Sequence, residues 1–225
     1  MHDIVKQPKQ SRSRKTLSRY YLAGKRLFAA AAVSEVTIPQ LVHAAKSSVG
    51  AFYARFEGKD EYLAAFYRHY FAEFRERLMN QLDASRWADA TSEQVVRGVI
   101  AQRAEYYVSE RMLLAHLFVH VRLTHDERFM GPARAISDDM FARLQSLLSQ
   151  RRGDRPVVPG MDTIRHGVLT AEAGIREFFL FGRGADSASV APHREFIEDV
   201  GTMLWLLLLR STEKRSRASR ARRSS

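Results

Sequence analysis

Apolar residues recur along most of the chain at spacings of three and four rather than two, which is the signature of helices with one buried side. Leu63, Phe66, Tyr67, Tyr70, Phe71, Phe74, Leu78 and Leu82 form a wide apolar stripe, and Glu61, Arg68, Glu73, Arg75 and Glu76 take much of the opposite side. That spacing predicts a long amphipathic helix beginning near Lys59. Further helical patterns cover about Ser92 to Ser109, Arg111 to Leu123, Pro132 to Gln150, Asp162 to Phe181 and Pro192 to Arg210. Gly, Pro and Ser cluster at 151–160 and 182–192, where the pattern breaks. No stretch alternates well enough to be read as a sheet, so the expected fold is all-α.

The first sixty residues have a finer texture of short helices and tight joints. A helix from about Thr16 to Ala32 carries Leu17, Tyr20, Leu27, Phe28 and Ala31 on its buried side. Thr37, three residues before Gln40, offers a capping box for a short helix over about Ile38 to Ala45, with Pro39 tolerated in its first turn. Ser48 can cap a third helix over about Val49 to Ala54 through a hydroxyl bond to a free amide. Asp60 and Glu61 suit the positive end of the long helix that follows.

Charge changes the meaning of this pattern. The 225 residues carry a formal +11, with 36 Lys and Arg against 25 Asp and Glu, and the excess is concentrated at the two ends. Residues 1–59 hold eleven cationic side chains against Asp3, Glu35 and Glu57; residues 210–225 hold seven against Glu213. The middle is slightly acidic, so the chain looks built to hold a polyanion at one end while its body does something else. Two short helices joined by about three residues, behind a basic arm, have the size of a helix-turn-helix for double-stranded DNA. Val49, Gly50 and Ala51 are small enough to let the start of the third helix approach a groove. Tyr53, Arg55 and Lys59 carry groups suited to phosphate oxygens.

The identities at these positions add to that reading. Leu27 and Phe28, Thr37, Ala44 and Ala45, Ser48, Gly50, Phe52 and Tyr53, Phe56 and Lys59 fall in one ungapped register. In that register the sequence over roughly residues 15–63 resembles the N-terminal DNA-binding domain of TetR-family transcriptional regulators. The resemblance implies an N-terminal three-helix helix-turn-helix domain followed by a C-terminal helical domain for ligand binding and dimerisation. It also implies DNA contacts from Arg12, Arg14, Lys15, Thr37, Lys46, Ser48, Val49, Gly50, Ala51, Tyr53, Arg55 and Lys59. Three positions depart from the family's pattern: Ala32 and Lys46 stand where glycine is usual, and Gly24 stands where alanine is usual. A non-glycine residue in a left-handed turn costs roughly 1–2 kcal/mol. Glycine inside a helix costs about 1 kcal/mol relative to alanine. The expected division is a flexible basic arm at 1–14, the helix-turn-helix domain at 15–62, an effector-binding and dimerisation domain at 63–210, and a disordered basic tail at 211–225.

The body is less explicit. The last two helices are the most apolar, and a two-fold interface is expected from Phe179, Val200, Met203, Leu204 and Leu207, making a homodimer on an inverted-repeat operator. Tyr106, His116, Phe118, His120, Phe129, Met140 and Phe178 are the candidate lining of an effector pocket, and Met with aromatics suits a small, largely apolar or aromatic molecule. Ordinary core packing is the other reading of each. His116 and His120, with His125 and Glu127 following, have a spacing compatible with a metal ion, but helical histidine pairs are common without one; no cofactor or metal is expected.

Other classes are narrowed by absence. There is no cysteine, which excludes disulfide scaffolds and thiolate chemistry. No nucleophile elbow, phosphate loop or zinc-protease helix occurs, so an enzyme is not expected. The longest apolar run, Met203 to Leu209, is far short of a membrane span, and the basic start has no apolar signal core, so a cytoplasmic protein is expected. With what the family resemblance implies, the expected function is that of a repressor released from its operator by a small effector. Its competitors are a sequence-indifferent DNA-coating protein and a helical dimer that binds a protein partner.

Overall fold

The computed structural model describes the backbone of residues 6–150 and 159–223 and the side chains of residues 15–150 and 159–212. Among these residues there are nine α-helices and no strand: α1 (Lys6–Ala30), α2 (Ile38–Ala44), α3 (Val49–Tyr53), α4 (Lys59–Gln81), α5 (Ser92–Ser109), α6 (Arg111–Thr124), α7 (Glu127–Ser149), α8 (Met161–Leu180) and α9 (Arg194–Arg223). The protein is all-α, as its apolar spacing predicts. Helix starts follow local chemistry. Thr37 and Gln40 cap α2 reciprocally, and Thr91 and Gln94 do the same for α5.

Three boundaries differ from the sequence expectation. α1 begins at Lys6, so residues 6–14, expected as a flexible arm, are helical. The Lys, Gln and Arg of this stretch are good helix formers, although they show no apolar stripe. α9 likewise continues through the basic residues to Arg223 where a disordered tail is expected. α7 starts at Glu127 rather than at Pro132, because Asp126 caps it: its carboxylate accepts from the Arg128 amide at 3.0 Å and its carbonyl accepts from the Phe129 and Met130 amides. Pro132 thus lies inside the helix and withholds one ladder hydrogen bond.

The chain forms two compact units. The first comprises the chain up to Glu73 together with Met112–Pro132. Its core is aromatic: Tyr20, Phe28, Phe52, Phe56, Tyr62 and Phe66 are all buried. They meet mostly edge to face, with Tyr20 5.7 Å from Phe52, Phe28 5.1 Å from Phe66 and Phe56 5.4 Å from Tyr62. Such geometry sets the negative face of one ring against the positive edge of the next. Phe129 extends the set, 5.3 Å from Tyr67 and 4.8 Å from Phe71. This core fixes α1, α3 and the first half of α4 to one another.

The second unit comprises Phe74–Arg111 and the chain from Ala133 onward. Its centre is the packing of α5, α8 and α9. Val96, Ile100, Ile164, Val168, Ile175, Phe179, Leu204 and Leu208 are buried there. Gly167 lets α9 come close, since a Cβ at that position would stand 2.7 Å from the Leu204 side chain. One charged group is sealed in this apolar setting: Arg103 donates to both oxygens of Glu172, and the Tyr107 hydroxyl donates to the same carboxylate at 2.8 Å. The guanidinium also lies 5.0 Å from the ring centres of Phe74 and Tyr106. Burial alone would lower the affinity of Arg103 for its proton, and the Glu172 charge overrides this and raises it. α4 and α7 each contribute residues to both units.

Candidate nucleic-acid interface

The α2–α3 segment is built from backbone satisfaction outward. α2 ends in a Schellman motif: the Ser47 amide donates to Val42 O at 3.0 Å and the Lys46 amide to His43 O at 3.0 Å. That motif needs a left-handed residue, and Lys46 supplies it with φ 49°. Ala32, the other residue standing in place of a glycine, is not left-handed; the positive-φ non-glycine residues described are Lys46 and His125. Two α1 arginines clamp the end of α2, with Arg19 Nε donating to Ala45 O at 2.7 Å and Arg26 to Ala44 O at 3.1 Å. Ser48 then caps α3 by accepting from the Ala51 amide at 3.1 Å.

α3 divides cleanly into an inner and an outer side. Phe52 is fully buried, whereas Val49 and Tyr53 are 50% and 53% exposed. A Cβ at Gly50 would meet nothing within 4 Å. Val49 and Tyr53, one turn apart, thus put large side chains on the outer side of an anchored helix. Of the expected contact residues, Thr37, Lys46, Ser48, Val49, Gly50 and Tyr53 are exposed, and Ala51, Arg55 and Lys59 are half-buried. Thr37 and Ser48 spend their hydroxyls on caps. Lys59 Nζ donates to Ser34 O at 3.1 Å, and partial burial lowers its pKa against the opposing pull of Asp60. Lys15 is exposed on α1; Arg12 and Arg14 lie on α1 with side chains outside the described set.

Residues 22–66 match the model of the family described as bacterial regulatory proteins, tetR family. Over those residues the chain carries the N-terminal signature of that family. No curated protein sequence matches the chain. Solved structures of similar fold include GusR of Salmonella enterica, 14% identical over 86% of this chain and 95% of that one with a TM-score of 0.60. A TetR-family transcriptional regulator from Streptomyces coelicolor is 17% identical over 93% and 98% of the two chains, also at 0.60. FadR of Thermus thermophilus, a TetR-family repressor solved in complex with lauroyl-CoA, is 21% identical over 85% and 93% with a TM-score of 0.53. Identities this low establish the fold, a TetR-like arrangement of an N-terminal helix-turn-helix and a C-terminal helical domain. TetR-family regulators bind DNA and are not enzymes.

The other expected sites of this TetR-like chain distribute unevenly. Of the seven candidate effector residues, His116, Phe118, His120 and Phe129 belong to the first unit, and Tyr106, Met140 and Phe178 to the second. Most are already engaged. The His116 Nδ1 lies 2.7 Å from Phe28 O, Phe118 meets Phe129 at 5.9 Å, Tyr106 packs 4.9 Å from Phe74, and Phe178 stacks on Phe196 at 4.1 Å. Burial lowers the His120 pKa. Among the described residues, no group of three His, Asp or Glu could hold a metal ion. Of the five expected interface residues, Phe179, Val200 and Leu204 are buried within the second unit, whereas Met203 and Leu207 are 54% and 45% exposed. Leu204 and Leu207 both lie against Gly167 of α8, Leu204 wholly inside the unit and Leu207 at its edge.

Sequence reasoning missed Arg19 and Arg26, the pair that clamps the end of α2. Their seven-residue spacing on one face of α1 is the signal that marks them. It also missed what Gly24 is for. A Cβ there would stand 2.1 Å from the Tyr62 hydroxyl, which donates to Tyr20 O at 3.0 Å.

Proposed function

We propose that the protein is a homodimeric transcriptional repressor that reads an inverted-repeat operator through α3 and releases it when a small, largely apolar or aromatic effector binds the body. The observation that carries the reading is the outward face of α3, where Val49, Gly50 and Tyr53 stand clear on a helix held by its caps and by the buried Phe52. Val49 and Ala51 face base edges, where methyl groups pack on thymine and small size admits the helix deeply. Tyr53, Lys46 and Lys59 meet phosphates, which position the helix without reading sequence. Arg12, Arg14 and Lys15, on the N-terminal part of α1, add contacts to the backbone or to a neighbouring minor groove.

The exposed apolar residues Leu169, Met203, Leu206 and Leu207 on α8 and α9 supply the two-fold seam. A patch of this kind, on the two helices that close the second unit, calls for a partner copy. For the effector, Tyr106 and Met140 are apolar or aromatic groups in the second unit, and the lauroyl-CoA complex of the Thermus thermophilus repressor supports an apolar ligand class. An effector acts only by binding the DNA-incompetent state more tightly than the competent one. α4 and α7, which contribute to both units, are the carriers of that change, with the His116–Phe28 contact tying α6 to α1.

The test is a set of operator titrations across salt concentrations. Substitution at Val49 or Ala51 alters which bases are preferred, by roughly 1–3 kcal/mol per position. Lys46→Ala weakens all duplexes by a similar factor and reduces the salt slope by about one unit. A protein that binds every duplex alike, with no base preference to alter, is instead the sequence-indifferent DNA-coating protein.

A further inference from the structure

A cavity of about 430 Å³ opens within the first unit, bounded by α1, α4 and the residues that follow α3. This is within the range of small-ligand sites. Its lining includes Leu17, Ala65 and Ala72 over the nearly fully buried rings of Tyr20, Phe56, Tyr62 and Phe66, with Arg55, Arg68 and Glu61 as its charged members. The carboxylate of Glu61 is already used, accepting from the Glu57 amide at 2.6 Å. Arg68 is exposed and has no acidic partner among the described residues. Leu17, also in the lining, is 43% exposed, an apolar group left at the surface beside the opening. In the wall itself the Tyr20 hydroxyl is buried with no hydrogen-bond partner, an unusual state for a buried polar group.

An apolar cavity with an unanswered guanidinium at its edge has one complementary class of occupant. Leu17, Ala65 and Ala72 take an aromatic or aliphatic body, and Arg68 holds an anionic head by charge-assisted hydrogen bonds. A bare phosphate or a nucleic-acid backbone would leave the exposed Leu17 side chain uncovered. We propose that this cavity binds a small apolar or aromatic carboxylate, at a site separate from the effector site of the body, and that the ligand acts on α3 directly. The mechanical link is short: Phe56 lines the cavity, its ring lies 5.1 Å from that of Phe52, and its amide donates to Phe52 O at 3.0 Å. A ligand that displaces Phe56 therefore displaces the helix whose outer face is proposed to read DNA.

The experiment uses the full chain with alanine methyl groups labelled, titrated with naphthalene-2-carboxylate and separately with its neutral amide. Ala65 and Ala72 line the cavity, and Ala104 lies in the core of the second unit. The carboxylate is expected to shift the Ala65 and Ala72 methyl signals saturably and to bind at least tenfold more tightly than the amide. Arg68→Gln, at an exposed position, is expected to bring the two ligands to within about threefold of each other while leaving the thermal midpoint unchanged. Ala65→Phe, which fills the cavity, is expected to abolish both titrations. Shifts confined to Ala104 would overturn this proposal while leaving the body effector standing. Equal binding of carboxylate and amide, or an unaltered preference in Arg68→Gln, would also overturn it.

Discussion

Gly24 shows how a single residue can look costly in a sequence and be required in the fold. Glycine in mid-helix loses about 1 kcal/mol against alanine, yet here it makes room for the Tyr62 hydroxyl and the Phe66 ring, which a Cβ would meet at 2.1 and 2.9 Å. Gly24→Ala is therefore expected to destabilise the protein by about 1–3 kcal/mol through overpacking rather than to stabilise it. Urea unfolding reads the sign directly, and Tyr62→Phe in the same chain should recover part of the loss. Lys46 is the opposite case. Its φ of 49° lies where a side chain is strained, so Lys46→Gly should raise stability by roughly 1 kcal/mol. If the side chain reaches a phosphate, the same change weakens DNA binding. Stability and affinity then move in opposite directions in one variant, which denaturation and duplex titration measure separately.

At the scale of elements, what is local in the chain was legible and what depends on distant partners was not. The starts of α2, α3 and α5 follow from a hydroxyl and an amide three residues apart, and Ser92–Ser109 appears in the structure with the bounds its apolar spacing predicts. The outer ends of α1 and α9 carry charge without an apolar stripe, so periodicity gives them no signal. Chemical type, the only mark of a pocket residue in the sequence, does not distinguish a lining ring from a packed one; Phe178, stacked on Phe196, belongs to the packed kind. Neither did the sequence mark the Arg103–Glu172 pair joining α5 to α8, since its partners are far apart in the chain. Breaking a buried pair leaves an unanswered charge, so Glu172→Gln is expected to cost about 3–5 kcal/mol in chemical denaturation. Replacing Arg103 and Glu172 together by Met and Leu should recover most of it. In α6, burial holds the His120 imidazole below its ordinary 6.5. Its neutral form is the folded one, so its contribution is fully present above pH 6.5 and is lost as pH falls through the depressed value. His120→Gln should flatten that part of the stability profile.

For the whole molecule, the division between buried and exposed apolar residues on α9 separates folding from assembly. Met203 and Leu206 are more than half exposed, whereas Leu204 is 2% exposed. Met203→Glu with Leu206→Glu is expected to give a folded monomer with weakened operator binding, and Leu204→Glu is expected to lose the fold itself. Sedimentation with circular dichroism distinguishes the two, and a wild type that sediments as a monomer at every concentration would contradict the two-fold seam. The same symmetry governs the DNA, because two copies of α3 related by a two-fold axis require two half-sites in inverted orientation. Selection of bound sequences from a random duplex pool by the wild-type protein tests the account most directly. It predicts enrichment of an inverted repeat whose half-site centres are about one helical turn, 34–36 Å, or a multiple of it, apart. A pool that stays unenriched while the protein binds it would contradict the claim that α3 reads sequence.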